Sequence, residues 1–222
     1  AVKGRNSIIV APHPRAKLTN KKICDLMRAA IKKMGAPEDL VIGIETPSLE
    51  TTNELMRQCD LVLATGGGAM VNAAYSSGTP ALGVGVGNAV ITVDESADLD
   101  AAAEKIRISK TLDLAASCSS DNSVVLLDGI YDTMLDKLRA EGGYVCNAEE
   151  KTALRNTLWD DELHINTAMV AQPPEKIAQM AGLTIPDGVQ FFIVLEDGYG
   201  PEHPFSGEKL SVIMALYRAR DI

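Results

Sequence analysis

Leu61-Val62-Leu63-Ala64-Thr65-Gly66-Gly67-Gly68-Ala69 is the stretch on which the fold assignment turns. Asp60 precedes a short apolar run, Leu61 to Ala64, which has the length and composition of a buried strand. The run stops at Thr65 and three glycines, and residues 69–76 then have helical character. A strand that passes through a glycine turn directly into a helix is the repeating unit of an α/β protein. The turn itself admits two readings. Glycines let a backbone approach an anion, and a helix N-terminus offers unpaired N–H groups and a favourable dipole. A glycine triplet also serves as a tight turn with no ligand. The pattern is neither GxGxxG nor a Walker loop, because no Lys-Ser/Thr follows.

Working outward, the same alternation recurs on both sides. Asn6 to Val10 forms a strand that ends at Ala11-Pro12-His13-Pro14-Arg15, where two prolines delay helix formation until Thr19, the expected N-cap. Ile23, Leu26, Met27, Ala30, Ile31 and Met34 recur at helical spacing, and Gly35 supplies a stop. Leu40 to Ile44 is a strand, and Ser48 caps a helix through Cys59. Downstream, Ala81 to Gly83 opens a strand that runs into Gly83-Val84-Gly85-Val86-Gly87-Asn88. That run suits a β-bulge, a close backbone approach, or a ligand lying against main chain. Ala89 to Val93 is a strand, followed by a helix to Lys110.

Strands through Leu127, at Tyr144 to Cys146, at Phe191 to Leu195 and at Val212 to Tyr217 alternate with helices. These are the helix carrying Ile130, Tyr131, Met134, Leu135 and Leu138, a helix capped by Asn147, and a helix opened by Pro173-Pro174. The expectation is an α/β fold with a largely parallel sheet. The boundary is expected near Lys110, giving residues 1–110 and 111–222 as two parts.

The 222 residues include 46% hydrophobic and 23% charged, as in soluble globular proteins. Lys plus Arg number 21 against 30 Asp plus Glu, a net charge of -9, which disfavours nucleic acid or an anionic membrane as a partner. No apolar run reaches the roughly 20 residues of a bilayer span, and Ala1-Val2-Lys3-Gly4-Arg5 lacks a signal-peptide core. The four cysteines, Cys24, Cys59, Cys118 and Cys146, show no CxxC spacing, so neither a metal site nor a disulfide framework is expected. A reducing cytoplasm is the expected location.

Cys118 lies among Ala115, Ala116, Ser117, Ser119 and Ser120, just ahead of the apolar run Val124-Val125-Leu126-Leu127. Small neighbours leave a sulfur accessible to a substrate carbonyl, whereas a structural cysteine more often sits among larger apolar side chains. Local composition leaves both roles open. For Glu208 and His13 the plain alternatives are a solvated loop carboxylate and a turn residue. His164 and His203, with no motif around them, are expected at the surface.

As a set, these segments resemble the aldehyde dehydrogenase superfamily, and within it the CoA-acylating branch. The resemblance is carried by Ala11-Pro12-His13-Pro14-Arg15-Ala16-Lys17, Leu63-Ala64-Thr65-Gly66-Gly67, Ala73-Ala74-Tyr75-Ser76-Ser77-Gly78 and Gly83-Val84-Gly85-Val86-Gly87-Asn88. It continues in Ser109-Lys110-Thr111 before Cys118, and in Pro204-Phe205-Ser206-Gly207-Glu208-Lys209-Leu210-Ser211. These motifs follow the family's order along essentially the whole chain. The resemblance implies a Rossmann-type cofactor half at residues 1–110 and an α/β catalytic half at 111–222, with Cys118 as nucleophile. It further implies that Thr65, Gly66 and Gly67 carry the NAD pyrophosphate and that Ala11, Pro12 and His13 border the adenosine ribose. Glu208 would hold the nicotinamide ribose.

The implied reaction is oxidation of a short aldehyde to acyl-CoA through a thioester on Cys118, with coenzyme A as co-substrate. In hydrolytic relatives a glutamate activates water. The corresponding position falls at or near Gly83, and no carboxylate lies between Thr65 and Val93. Without a base for water, the acyl-enzyme survives to meet CoA. The family also implies a homo-oligomer, with a fused or separate alcohol dehydrogenase and a cytoplasmic or microcompartment setting. Two departures are Val90 and Val212, where many acylating relatives have proline. The family's chain is longer at both ends and supplies an oxyanion-stabilising asparagine from its N-terminal part. The stretch is thus expected to be a central portion of such an enzyme, with little dehydrogenase activity alone.

Overall fold

The computed structural model describes residues 1–221. Backbone contacts divide the chain into two compact units, Ala1–Gly85 and Val86 onward. This break lies upstream of the Lys110 boundary suggested by the glycine pattern.

The first unit alternates strands and helices: β1 (Ile8–Val10), α1 (Lys17–Lys33), β2 (Val41–Gly43), α2 (Leu49–Gln58), β3 (Val62–Thr65), α3 (Gly68–Tyr75) and β4 (Ala81–Val84). β1 pairs with β2 and β3 with β4, each in parallel. Thr19 does not cap α1. The preceding Pro14–Ala16 turn, closed by the Ala16 N–H donating to the His13 carbonyl at 2.8 Å, has already set the chain in helical geometry. Helix α1 therefore starts three residues early, with Ala16 in the N-cap position, and Thr19 lies inside it. Ser48 does cap α2, its Oγ accepting from the Thr51 N–H at 3.0 Å. Along β3, Val62 and Ala64 turn inward to join Met56 and Ala74 in a small core, while Leu63 faces outward.

The second unit contains β5 (Ala89–Val93), α4 (Leu99–Thr111), β6 (Asp121–Leu127), α5 (Tyr131–Ala140), β7 (Gly143–Val145), α6 (Ala148–Leu158), α7 (Pro174–Ala181), β8 (Phe191–Glu196) and β9 (Ile213–Ala219). The five strands form one parallel sheet in the order β5-β6-β9-β8-β7. Phe191 to Val194 and Ile213 to Ala215 are fully buried in succession. Such unbroken apolar runs belong to parallel strands covered on both faces. Helix α4 packs into this unit through Ala103 and Ile106, whose stripe meets the same core as Val124 and Leu126.

Local chemistry sets the helix ends. Asp98 Oδ1 accepts from the Asp100 and Ala101 N–H groups at 3.1 Å. Asn147 and Glu150 form a reciprocal capping box at the start of α6. Pro174 starts α7, and Gly182 at φ 69° ends it in the left-handed conformation that glycine adopts without strain. Helix α4 ends differently. Asp113, Leu114 and Ala115 are all left-handed, at φ 50°, 53° and 57°, and they turn the chain back toward β6.

Candidate active site

Cys118 sits on the turn between this left-handed run and β6. Ser117 closes the turn: its Oγ accepts from the Ser119 N–H at 3.3 Å, and its carbonyl accepts from the Ser120 N–H at 3.1 Å. Among the four thiols Cys118 is the exposed one. Cys24 and Cys146 are buried and Cys59 is half-buried. Burial, reinforced by Glu150, pushes the Cys146 thiol up to about 12, so that sulfur is an inert part of the core.

The glycines of the run Gly83 to Gly87 differ in their surroundings. A Cβ on Gly87 would stand 2.5 Å from the Cys118 carbonyl oxygen and 3.1 Å from the Cys118 Cβ, so only glycine allows this approach. A Cβ on Gly83 would meet Val71 and Tyr75 at 2.6 and 2.9 Å, and the Gly83 N–H donates to the Tyr75 hydroxyl at 3.0 Å. At Gly85 nothing lies within 4 Å. The close-approach reading thus holds at Gly83 and Gly87.

Gly87 also joins Cys118 to Glu208, because its N–H donates to Glu208 Oε1 at 3.2 Å. The adjoining Asn88 donates from Nδ2 to the Ser206 carbonyl at 2.9 Å. Asn122, four residues past Cys118, donates from Nδ2 to Asn88 Oδ1 at 2.6 Å and to the Gly207 carbonyl at 2.5 Å. Three segments, residues 87–88, 118–122 and 204–209, are therefore tied together by side-chain and backbone bonds within one unit. Glu208 is half-buried in this network rather than freely solvated.

Two lysines of the second unit are buried. Lys110, in the last turn of α4, is 1% exposed, and Lys209 is 0% exposed. Burial lowers the Lys110 amine to about 7, against the opposing pull of Asp121. Burial holds Lys209 well below the ordinary lysine value, with the positive charge of Lys110 acting in the same direction and Glu196 opposing it. His203 is not a free surface residue. Its Nδ1 lies 3.0 Å from Glu196 Oε2, and Lys151 Nζ stands 3.0 Å from Glu196 Oε1. Glu196, Asp197 and His203 group their ligand-type atoms within 4.8 Å, but the buried Glu196 carboxylate is already engaged by Lys151 and His203. His164 is 71% exposed and paired with Asp160 at 3.2 Å, as a surface residue.

The remaining candidates lie in the first unit, each at the carboxyl end of a parallel strand, where α/β proteins bind ligands. Thr65 ends β3, and the Gly66 N–H donates to the Val84 carbonyl at 3.1 Å. Gly67 begins α3 with no side-chain cap, and nothing lies within 4 Å of where a Cβ on Gly67 or Gly68 would stand. An uncapped helix start with open space before it fits a pyrophosphate. Ala11, Pro12 and His13 follow β1, and His13 Nδ1 accepts from the Arg15 N–H at 3.2 Å, so its ring also caps the following turn.

The motifs contain Asn88, Lys110 and Lys209 without giving them a role, and Asn122 lies outside the motifs. Asn88 ends the glycine run and Asn122 follows the cysteine closely, which is the only signal either carries. A lysine beside a glutamate in a Gly-Glu-Lys loop looks solvated in sequence, and nothing local marks it as buried.

Residues 1–145 match the Aldehyde dehydrogenase family. The chain is 42% identical over 223 residues to the bifunctional aldehyde-alcohol dehydrogenase AdhE of Escherichia coli K12, covering 100% of this chain and 25% of that protein. It is 45% identical over 224 residues to the sulfoacetaldehyde dehydrogenase (acylating) of Cupriavidus necator, covering 100% of this chain and 45% of that one. The crystal structure of an acetylating aldehyde dehydrogenase from Geobacillus thermoglucosidasius superposes with a TM-score of 0.95 at 39% identity, over 99% of this chain and 49% of that chain. The stretch thus spans half or less of each of these proteins, and matches the acylating ones along nearly all of its own length. With that family's model matched over residues 1–145, well over half of its length, the chain belongs to the aldehyde dehydrogenase family.

Proposed function

We propose that this chain carries the nucleophile and much of the cofactor site of an NAD-dependent, CoA-acylating aldehyde dehydrogenase acting on a short-chain aldehyde. The observation that supports it most is the exposed Cys118, pressed against the Gly87 main chain, whose amide in turn engages Glu208. Cys118, as thiolate, adds to the aldehyde carbonyl to give a thiohemiacetal. Nicotinamide dinucleotide, when bound, supplies the hydride acceptor. Loss of hydride leaves the acyl group on Cys118 as a thioester, and the CoA thiolate displaces it, returning the Cys118 thiolate.

Chain residues supply the positioning. Glu208 Oε1 is engaged by the Gly87 amide, which leaves its second oxygen for a ribose hydroxyl. The uncapped start of α3 at Gly67 and the Thr65-Gly66 turn face a pyrophosphate. Ala11 to His13 border the adenosine ribose. The stretch from Thr65 to Val93 holds no carboxylate, which favours deacylation by a thiol over activated water. On this reading residues 1–110 serve the cofactor and 111–222 the chemistry. A homo-oligomer, an associated alcohol dehydrogenase and a cytoplasmic or microcompartment location follow from the same likeness. Among the described residues, no helix is long and apolar enough to cross a membrane.

Incubating the chain with acetyl-CoA tests the reading in the reverse direction, without cofactor. The expected result is an acetyl adduct on Cys118 by peptide mass spectrometry, absent from Cys118→Ala. An unmodified Cys118, or an adduct that persists in Cys118→Ala, overturns it. The length of the stretch relative to its relatives supports a second reading, a nucleotide-binding portion without turnover; NAD binding with no Cys118 acylation selects that one.

A further inference from the structure

Lys209 occupies an unusual place for a lysine. It is 0% exposed, and among the described residues no carboxylate lies within ion-pair distance of its Nζ. Its hydrogen-bond partners are two carbonyls of its own loop, Phe205 at 2.5 Å and Gly207 at 3.0 Å. Lysine is almost never fully buried without a charge partner, because removing an ammonium from water costs far more than two neutral acceptors return. An apolar side chain of similar length would fill the same space without that cost. The amine must therefore supply something other than packing.

What it supplies is visible in the loop. Phe205 is anchored in the core, edge-on to Trp159 with ring centroids 4.9 Å apart. Gly207, whose carbonyl Lys209 shares with Asn122 Nδ2, lies next to Glu208. Leu210, just past the lysine, is held at φ 46°, a left-handed conformation that costs energy for a side chain of this kind and persists only where neighbours fix it. Its carbonyl accepts from the Ala171 N–H at 2.9 Å. The lysine and this bond together hold the segment on either side of Glu208.

We propose that Lys209 is a positioning residue of the Cys118 site: its buried amine clips the Phe205 and Gly207 carbonyls, and thereby holds Glu208 on the Gly87 amide beside Cys118. The assignment of Glu208 to a nicotinamide ribose rests on the function proposed above; the mechanical role of Lys209 does not.

The Gly87 N–H, bonded to Glu208 Oε1, reports the position of Glu208 directly. Hydrogen exchange at Gly87 and denaturation are measured on the 222-residue chain and on Lys209→Met, Glu208→Ala and the double variant. Lys209→Met is expected to keep or raise the denaturation midpoint while Gly87 exchange accelerates about tenfold or more, to the rate of Glu208→Ala. The double variant adds nothing further. NAD affinity of the chain falls with the same variants. Unchanged Gly87 exchange in folded Lys209→Met overturns the proposal, as does a lowered midpoint with Gly87 no faster than the rest of the unit. Should Lys209→Met fail to fold, Lys209→Leu removes the same donor with a shorter apolar side chain; faster Gly87 exchange there upholds the proposal, and unchanged exchange overturns it. A parent chain that binds no NAD counts against the functional reading alone, since Gly87 exchange still reads the lysine.

Discussion

Leu82 on β4 and Leu216 on β9 are the same side chain on the same kind of parallel strand, yet Leu82 is 61% exposed and Leu216 is 1% exposed. The difference runs through the two units. In the first, one small core gathers Met56, Val62, Ala64 and Ala74, and the register sets Leu63 beside Leu82 on an outer face where both are exposed. In the second, strands β6, β8 and β9 are buried on both sides and a single core runs from Val93 to Leu216. Hydrophobic stabilisation scales with the apolar area removed from water. The Cys118 loop of the second unit thus rests on a large buried core, while the strand-end loops of the first rest on much less buried surface. Cys118 and the Thr65–Gly68 turn belong to units whose buried cores differ in size.

The comparison breaks most visibly at Phe192, which is 0% exposed and edge-on to Tyr144. Phe192→Ala is expected to cost the second unit about 3–5 kcal/mol, whereas Leu82→Ala changes the first by within about 0.5 kcal/mol. Denaturant titration of both variants checks the contrast, and equal losses would remove it. Next in size is Gly87→Ala, whose methyl is driven against the Cys118 carbonyl. Cys118 acylation is expected to slow about 10²-fold by misplacement of the thiol, while Gly85→Ala, facing open space, leaves the rate unaltered.

A third contrast is in pH. Folded Lys110 loses its proton at about 7, but unfolded lysine keeps it to about 10.4. Between those values the unfolded chain binds more protons, so stability of the second unit rises with pH from 7 upward, by up to about 1.4 kcal/mol per unit. Cys146 acts oppositely: its folded thiol stays protonated to about 12, so above the usual thiol range stability falls as pH rises. Unfolding free energies from pH 7 to 8.5 should therefore climb in the parent and climb less in Lys110→Met. A parallel course for the two proteins would show that Lys110 does not drive the rise. Smallest is the left-handed turn: Asp113→Gly relieves backbone strain and is expected to raise the denaturation free energy by about 1 kcal/mol.

The α/β class was legible because Leu61–Ala64, Val124–Leu127 and Phe191–Leu195 are apolar runs long enough for strands and too short for helices. Helix ends were legible where one side chain decides them, as at Ser48, Asn147 and Gly182. Thr19 misled because a local cap competed with a turn already closed by His13 and Ala16. The unit boundary differed because the packing of Ala103 and Ile106 is decided by a sheet built from residues far downstream. Cys118 was legible through its small neighbours and its motif company. Asn122 was not, because its partners, the Asn88 side chain and the Gly207 carbonyl, lie far away in sequence; Lys209 was not, because its burial is set by folding although its carbonyl partners lie in its own loop.

Periodicity, capping residues and the order of motifs determined by themselves the fold class and the family, and pointed to Cys118 as the proposed nucleophile, since each depends on chemistry within a few neighbouring positions. Only the tertiary structure decided that Gly87 faces Cys118, that Glu208 is held by a backbone amide and that two lysines lie out of water. The glycine and glutamate contacts arise where folding brings separate segments within bonding distance, and the burial of the lysines is decided by the core packed around them, which no local pattern encodes.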